Sequence, residues 1–173
     1  RMKDIEITTN GFILRSLTAS DATERYLNWF SDYRIMKYII YAHNDNSLKS
    51  IEDYILEKSY KQDALLLGIF EKYSMVHIGN IKYEPINFRE GHALMGIMIG
   101  DNTWRNKGVA NEVIKSSGFW LKNHYKINRI ILGVDEDNIP AIAENKKIGF
   151  IKEKVKSILV DSDDAVSMVW SIV

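Results

Sequence analysis

The sequence predicts an α+β fold in which a mixed, largely antiparallel central sheet is flanked by helices. Apolar runs of strand length follow one another between short polar turns at 65–70, 76–83 and 93–99, the pattern of an antiparallel meander. Apolar residues recur with helical spacing before and after that meander. Since 173 residues is the length of one domain, we expect a single domain over residues 1–173.

The elements before the meander are predicted from helix-start signals and spacing. A strand is expected over 12–17. A helix is expected over 22–30, because a threonine with an acidic residue three positions later stands just before it. Ser47 or Ser50 begins a second helix, in which apolar residues recur every three or four positions.

The elements after the meander alternate between helix and strand. A long helix begins near Val109, because apolar residues that follow it share one helical face. A strand is expected over 129–134. Pro140 then stands in the permitted first turn of a short helix, and Gly149 stands where that helix ends. The last two predicted strands are 150–160 and 165–173.

Bulk composition argues against several classes of function. The 23 basic residues are balanced by 23 acidic ones and are spread along the chain, so extended nucleic acid is not an expected partner. The chain has no cysteine, and its histidines are scattered, so no metal site and no disulfide are expected. No apolar run approaches the ~18 residues of a membrane span, and no leader segment is visible. We therefore expect a cytoplasmic protein without a membrane partner.

The segment between the third meander strand and the long helix has the features of a phosphate-binding loop. The first amides of a helix lack partners within it and carry partial positive charge. Gly108 lets the backbone approach a ligand closely, and Ala110 is also small. Arg105 and Lys107 add positive charge. The loop therefore predicts a pyrophosphate ligand, with an ordinary strand–loop–helix turn as the alternative.

The same segment resembles a family signature. The pattern R-x-x-G-x-A at 105–110, after a strand and at a helix start, resembles the Q/R-x-x-G-x-G/A coenzyme A signature of the GNAT acetyltransferases. Further along, N-I-P-A-I at 138–142 and K-I-G-F at 147–150 resemble a second motif of that family. The run at 14–29 is similar to the start of the ribosomal-protein-acetyltransferase-like branch. The resemblance covers nearly the whole chain and is weak between about residues 39 and 78.

This resemblance implies acetyl-CoA as co-substrate, no metal, and direct attack of a primary amine on the thioester. In the family, the sheet splays open beside the signature strand, and the pantetheine arm pairs with that strand. The residues implied to hold acetyl-CoA are Ile97, Met98 and Ile99 on the strand, Arg105, Asn106, Lys107, Gly108, Val109 and Ala110 in the loop, and Asn138, which otherwise fixes the following helix.

Two positions depart from the family's pattern. Asn145 stands where many members have a tyrosine that protonates the departing thiolate; an amide donates a hydrogen bond but does not supply that proton at neutral pH. We expect Asn145 to orient or stabilise the sulfur, with helix capping as the alternative. Leu94 stands where relatives carry a glutamate base, so His92 is the candidate base through water, with Glu84 and Glu90 as alternatives.

We expect an N-acetyltransferase that acts on a primary amine of a small molecule. An amino sugar, free or nucleotide-linked, is favoured because the N-terminal half resembles acetyltransferases of surface-polysaccharide pathways. Tyr38, Tyr41 and Glu84 are the candidate acceptor-binding residues, since aromatic faces suit sugars, nucleobases and cations. The alternatives are a protein N-terminus, as in ribosomal-protein acetylation, a polyamine, and a CoA-binding module without catalysis. Because the resembled family commonly dimerises through its last strands, a homodimer is one expectation.

Overall fold

The computed structural model describes residues 2, 4–32, 47–154 and 165–173, and over these it confirms the predicted α+β fold. The described strands are β1 (Glu6–Thr8), β2 (Phe12–Ser16), β3 (Leu65–Glu71), β4 (His77–Asn87), β5 (His92–Ile99), β6 (Arg129–Asp135), β7 (Ile151–Lys152) and β8 (Ala165–Ser171). The described α-helices are α1 (Glu24–Trp29), α2 (Leu48–Tyr60), α3 (Val109–Tyr125) and α4 (Ile139–Ile148), with short 3₁₀ turns at Ala19–Asp21 and Asn102–Trp104.

The strands form one sheet in the order β1-β2-β3-β4-β5-β6-β8-β7. All neighbours in this order are antiparallel except β5 and β6, which are parallel. The sheet is therefore mixed and largely antiparallel, as predicted. A parallel pair needs a crossover connection, and α3 supplies it between β5 and β6.

The parallel pair β5–β6 separates after three residues. Its register covers His92↔Arg129 to Leu94↔Ile131. Beyond that point β5 stays paired with β4, and β6 stays paired with β8 as far as Asp135. Among the described residues, the two strands therefore diverge and leave a gap between 95–99 and 132–135. We call this gap the β5–β6 opening.

Helices cover both faces of the sheet. Alternate residues of β3 belong to two different cores: Leu67 lies in the main core, which includes α3 and α4, and Leu66 lies in a second core with α1 and α2. Successive strand residues point to opposite faces, so α3 and α4 lie on one face and α1 and α2 on the other. The helices on the two faces of the sheet therefore lie on opposite sides of the β5–β6 opening.

Several element boundaries differ from those predicted. Strand β1 was not predicted, because three residues carry too little pattern. Strand β4 continues to Asn87, past the expected end at Tyr83 and past a cis Glu84–Pro85 bond. Proline lacks an N–H donor, and the register of β4 on β5 shifts between Tyr83 and Ile86 to accommodate it.

Of the closing strand predicted over 150–160, the structure forms Ile151–Lys152. Glu153 and Lys154 are described and lie outside that strand, and 155–160 lies outside the described residues. In the described part of the chain, no helix combines the length and the apolar character needed to cross a membrane.

Candidate functional site

Helix α3 begins at a residue that offers no side-chain cap. Its N-cap is Gly108, with φ 78° and ψ 10°, a left-handed conformation that costs most side chains strain. A Cβ built on Gly108 would meet no heavy atom within 4 Å, so open space lies beside it. The first-turn amides have no partners within the helix. Helix starts with these features commonly bind anions, and this one lies next to space that a ligand can occupy.

The acidic residue in the first turn of α3 is turned away from this space. Glu112 accepts hydrogen bonds from the Thr9 hydroxyl at 2.6 Å and from the Gly11 amide at 2.7 Å, in the β1–β2 turn. These bonds hold its negative charge against the hairpin. Lys107, by contrast, is exposed in the loop next to Gly108 and supplies positive charge there.

The Arg105 side chain points into the protein. Its Nε donates to the Ile99 carbonyl at 3.2 Å, and its Nη1 donates to Asp32 at 2.9 Å. Its Nη2 is buried without a hydrogen-bond partner. The guanidinium therefore joins the end of β5 to the segment after α1, and contact between Arg105 and acetyl-CoA stays a prediction.

The predicted strand contacts lie along the β5–β6 opening. Ile97, Met98 and Ile99 are half-buried. Ile97 and Ile99 pack against the main core, whereas Met98 packs against the second core. Because β6 has diverged, the backbone of this stretch has an edge free of β6, and an extended ligand can pair with such an edge.

Asn138 and Asn145 lie on the other side of this opening. The Asn138 side chain accepts a hydrogen bond from the Ala141 amide at 3.3 Å and caps α4, the second of the two roles foreseen for it. Asn145 is half-buried on α4, and its Nδ2 lies 3.7 Å from the Met168 sulfur. Met168 pairs with Leu132, at the point where β6 has left β5. The Asn145 amide thus lies on the β6 side of the opening.

His92, the candidate base, is the first residue of β5, where the sheet is still closed. Its Nε2 lies 2.9 Å from a Glu90 carboxylate oxygen. A surface cleft of about 490 Å³ beside it is lined by residues such as Asp63 and Asn87. At ~3.3 Å per residue, Gly96 is roughly 13 Å further along the strand. A role for His92 as base therefore requires a chain of waters.

Glu84, foreseen as an acceptor contact or a base, lies among lysines. Its carboxylate is 2.9 Å from the Lys58 ammonium and 2.6 Å from that of Lys61, with Lys82 at 3.5 Å. Burial alone would raise the pKa of Glu84, but hydrogen bonds from Lys58 and Lys61 outweigh it and lower that pKa. A carboxylate with a lowered pKa is a weak base at neutral pH.

The other two candidate acceptor-binding residues, Tyr38 and Tyr41, lie outside the described residues. Among the residues the structure does describe, no three His, Asp or Glu side chains are grouped as metal ligands. Sequence reasoning singled out neither Lys82 nor Gly96, which are paired across β4 and β5 beside the β5–β6 opening. The alternation of side chains along a strand predicts the face on which each residue lies. That the two residues are paired follows only from the register of β4 on β5, which the structure gives.

Comparison with known proteins gives a consistent result. Residues 12–151 match the family model described as acetyltransferase (GNAT) domain. The chain is 37% identical over 90 residues to an N-alpha-acetyltransferase of Saccharolobus solfataricus, an alignment covering 51% of this chain and 53% of that protein. This alignment therefore spans only about half the length of that relative.

Two solved structures share the fold. A ribosomal-protein-S5-alanine acetyltransferase from Vibrio fischeri superposes with a TM-score of 0.76 at 17% identity, covering 97% of each chain. A spermidine N-acetyltransferase from Vibrio cholerae, in complex with CoA and spermine, superposes with a TM-score of 0.77 at 19% identity, covering 93% of this chain and 95% of that one. At such identities the likeness concerns the fold alone.

Proposed function

The chain belongs to the GNAT acetyltransferase family, and on that premise we propose that it transfers an acetyl group from acetyl-CoA to a primary amine of a small molecule. The observation that carries the proposal is the start of α3. Gly108 leaves an uncapped helix N-terminus facing open space, directly after the strand that borders the β5–β6 opening.

The described residues fit acetyl-CoA as the co-substrate. The amides from Asn106 to Ala110 would hold the pyrophosphate, and Lys107 would add charge. The free edge of 97–99 would pair with the pantetheine arm. When bound, acetyl-CoA supplies an activated thioester. No part of this assignment needs a metal.

The chain's own groups support the transfer in three ways. A backbone N–H near Met98 or Ile99 would polarise the carbonyl, as an oxyanion site does. The Asn145 amide would stabilise the sulfur by a hydrogen bond, and water would supply the proton that an amide does not. A base reached through water, for which His92 is the candidate, would take a proton from the amine.

The favoured acceptor is an amino sugar, free or nucleotide-linked. This choice rests on the resemblance of the N-terminal half to acetyltransferases of surface-polysaccharide pathways, since a fold does not fix a substrate. A protein N-terminus and a polyamine are the alternatives, and the Vibrio fischeri and Vibrio cholerae proteins compared above are acetyltransferases of these kinds. A CoA-binding module without catalysis is the alternative outside this class.

The proposal is tested by following the release of free thiol from acetyl-CoA. The amine panel contains glucosamine, a nucleotide-linked amino sugar, spermidine and a short peptide with a free N-terminus. We expect release with an amino sugar. We also expect Asn145→Ala to lower kcat by roughly tenfold, the worth of one hydrogen bond to a developing charge.

The control is Lys146→Ala, which alters the next residue of α4, an exposed one, and should leave kcat unchanged. Binding of acetyl-CoA without thiol release from any amine would contradict the proposed transfer and favour the non-catalytic module. Release with the peptide or spermidine alone would reassign the acceptor.

A further inference from the structure

Lys82 on β4 lies directly across from Gly96 on β5. Residues opposite each other in a sheet point to the same face. Tyr83, the next residue, donates to or accepts from Ser117 of α3 at 2.7 Å, so Lys82 faces the other way, toward α1 and α2. Its ammonium lies 5.6 Å from the centre of the Tyr54 ring on α2. Lys82 and Gly96 therefore share the face opposite the α3 start.

Gly96 marks the inner end of the β5–β6 opening. It is exposed, and a Cβ built on it would meet no heavy atom within 4 Å. It lies about 10 Å along the strand from Ile99, after which the loop leads to Gly108. Under the proposed function, a co-substrate anchored at the α3 start and lying along 97–99 extends toward Gly96. An amine that attacks it from the α1–α2 face then passes Lys82.

The carboxylate nearest to Lys82 is already engaged by two other lysines. Both Glu84 oxygens are already engaged by Lys58 and Lys61, at 2.9 and 2.6 Å, whereas Lys82 is 3.5 Å away. Lys58 also lies 3.6 Å from Glu57, and Asp63 adds negative potential at Lys61. Among the described residues, the carboxylate paired with Lys82 is Glu84, which it shares.

Tyr54 adds no negative charge to this group. Its ring lies beside two ammonium groups, 5.4 Å from Lys58 and 5.6 Å from Lys82. Burial raises the pKa of its hydroxyl to about 12, so the phenol stays neutral at pH 7. The Lys82 side chain is 30% exposed, which leaves it within reach of a ligand.

We propose that Lys82 binds an anionic group of the acceptor, so that the substrate is a primary amine whose molecule also carries a phosphate or a carboxylate. This inference rests on the proposed acetyl transfer. A polyamine brings only positive charge to this face and finds Glu84 already neutralised, so it is a poor acceptor.

The test compares matched acceptors that differ in one anionic group. Glucosamine 6-phosphate is paired with glucosamine, and glycine is paired with glycinamide, so that phosphate and carboxylate are assayed separately, with spermidine as the cationic probe. We expect kcat/KM to be roughly tenfold or more higher for the anionic member of at least one pair, the worth of a charge-assisted hydrogen bond.

Variants assign that preference to Lys82. Lys82→Gln should reduce the ratio within the pair to about one, and Lys82→Arg should restore most of it, since guanidinium also binds phosphate and carboxylate. The KM for acetyl-CoA should stay unchanged in both. Lys49→Gln is the matched control, because Lys49 lies on α2 with its side chain 74% exposed and pairs with Asp53.

Three results would overturn the inference alone: equal kcat/KM within both pairs, a ratio that Lys82→Gln leaves intact, or spermidine as the best acceptor. Absence of thiol release with every amine, although acetyl-CoA binds, would instead overturn the proposed function, and this inference with it.

Discussion

His77 is a titratable residue that the fold encloses in aromatic rings. Its ring stacks on Phe70 at 4.6 Å and meets Trp29 edge-on at 4.7 Å. Its Nε2 lies 2.7 Å from the Asn80 side-chain oxygen. Burial lowers the pKa of His77, and the hydrogen bond to Asn80 offsets only part of that effect. The imidazole is therefore neutral in the folded protein at pH 7.

A neutral, buried His77 makes stability depend on pH. In the unfolded chain a histidine has a pKa of about 6.5, above its value here, so below that pH the unfolded state binds the proton first. Stability from this residue is complete above about pH 6.5 and is lost as pH falls toward the folded pKa, by at most about 1.4 kcal/mol per pH unit.

Thermal unfolding at pH 7.5 and pH 5.5 measures this effect. We expect the wild-type Tm to fall between the two, by roughly 2–4 °C for each kcal/mol of stability that is lost. The fall should be smaller in His77→Gln and unchanged in His124→Gln, which alters an exposed histidine of α3. An equal fall in wild type and His77→Gln would refute the assignment.

For single residues, sequence patterns predicted the roles that depend on neighbours along the chain. Gly108 at a helix start and Asn138 before a helix with proline are such residues, and both occupy cap positions. The side-chain partners of Arg105 and Glu84 were beyond prediction. Asp32 is 73 residues from Arg105, and Lys58 is 26 residues from Glu84, so only the folded chain brings them together.

At the scale of elements, helix α1 is fixed to the loop that precedes α3. The Arg25 and Asp101 side chains lie 3.4 Å apart, and Arg105 pairs with Asp32 just after α1. The Trp29 ring lies against Gly100, where a built Cβ would come within 2.1 Å of it. These contacts hold helix α1 and the predicted cofactor loop together.

Alanine substitutions at Gly100 and Gly96 test the close packing on Trp29, because Gly96 lies in the same stretch but has no such contact. Gly100→Ala forces the Trp29 ring or the loop to move, and we expect a loss of about 1–3 kcal/mol of stability, typical of overpacking. Gly96→Ala, whose Cβ meets nothing within 4 Å, should leave stability nearly unchanged. Urea unfolding of both variants checks this, and equal losses would contradict the packing assigned to Gly100.

Sequence patterns located most elements and failed on two for physical reasons. The meander was predictable because its apolar runs lie between turns, and α3 and α4 because caps and spacing agree. Strand β1 forms by pairing with β2, and the three residues Glu6–Thr8 carry no pattern that predicts this pairing. Strand β4 continues past Pro85 because a register shift absorbs the missing donor, a tertiary effect.

At the scale of the whole molecule, the site follows from how the sheet divides. Strand β5 belongs to the meander with β4, and β6 is held by β8, so the parallel pair shares only three positions before the two parts diverge. The α3 start lies at one end of the gap on one face, and Lys82 lies across from Gly96 on the other face. A cofactor and an acceptor can then approach from opposite sides.

Thermal unfolding with and without acetyl-CoA, in wild type and Gly108→Asn, tests whether the start of α3 is the acetyl-CoA site. At about 100 times its dissociation constant, the ligand adds roughly 2.7 kcal/mol, or a rise of roughly 5–11 °C. Asparagine tolerates the left-handed backbone of Gly108 but fills the open space beside it. The control is Lys126→Asn, at the other end of α3, where φ is also positive.

We predict the full rise in wild type and in Lys126→Asn, and little or none in Gly108→Asn at an unchanged ligand-free Tm. Absence of a rise in wild type, or an equal rise in Gly108→Asn, would contradict the assignment of the α3 start as the acetyl-CoA site.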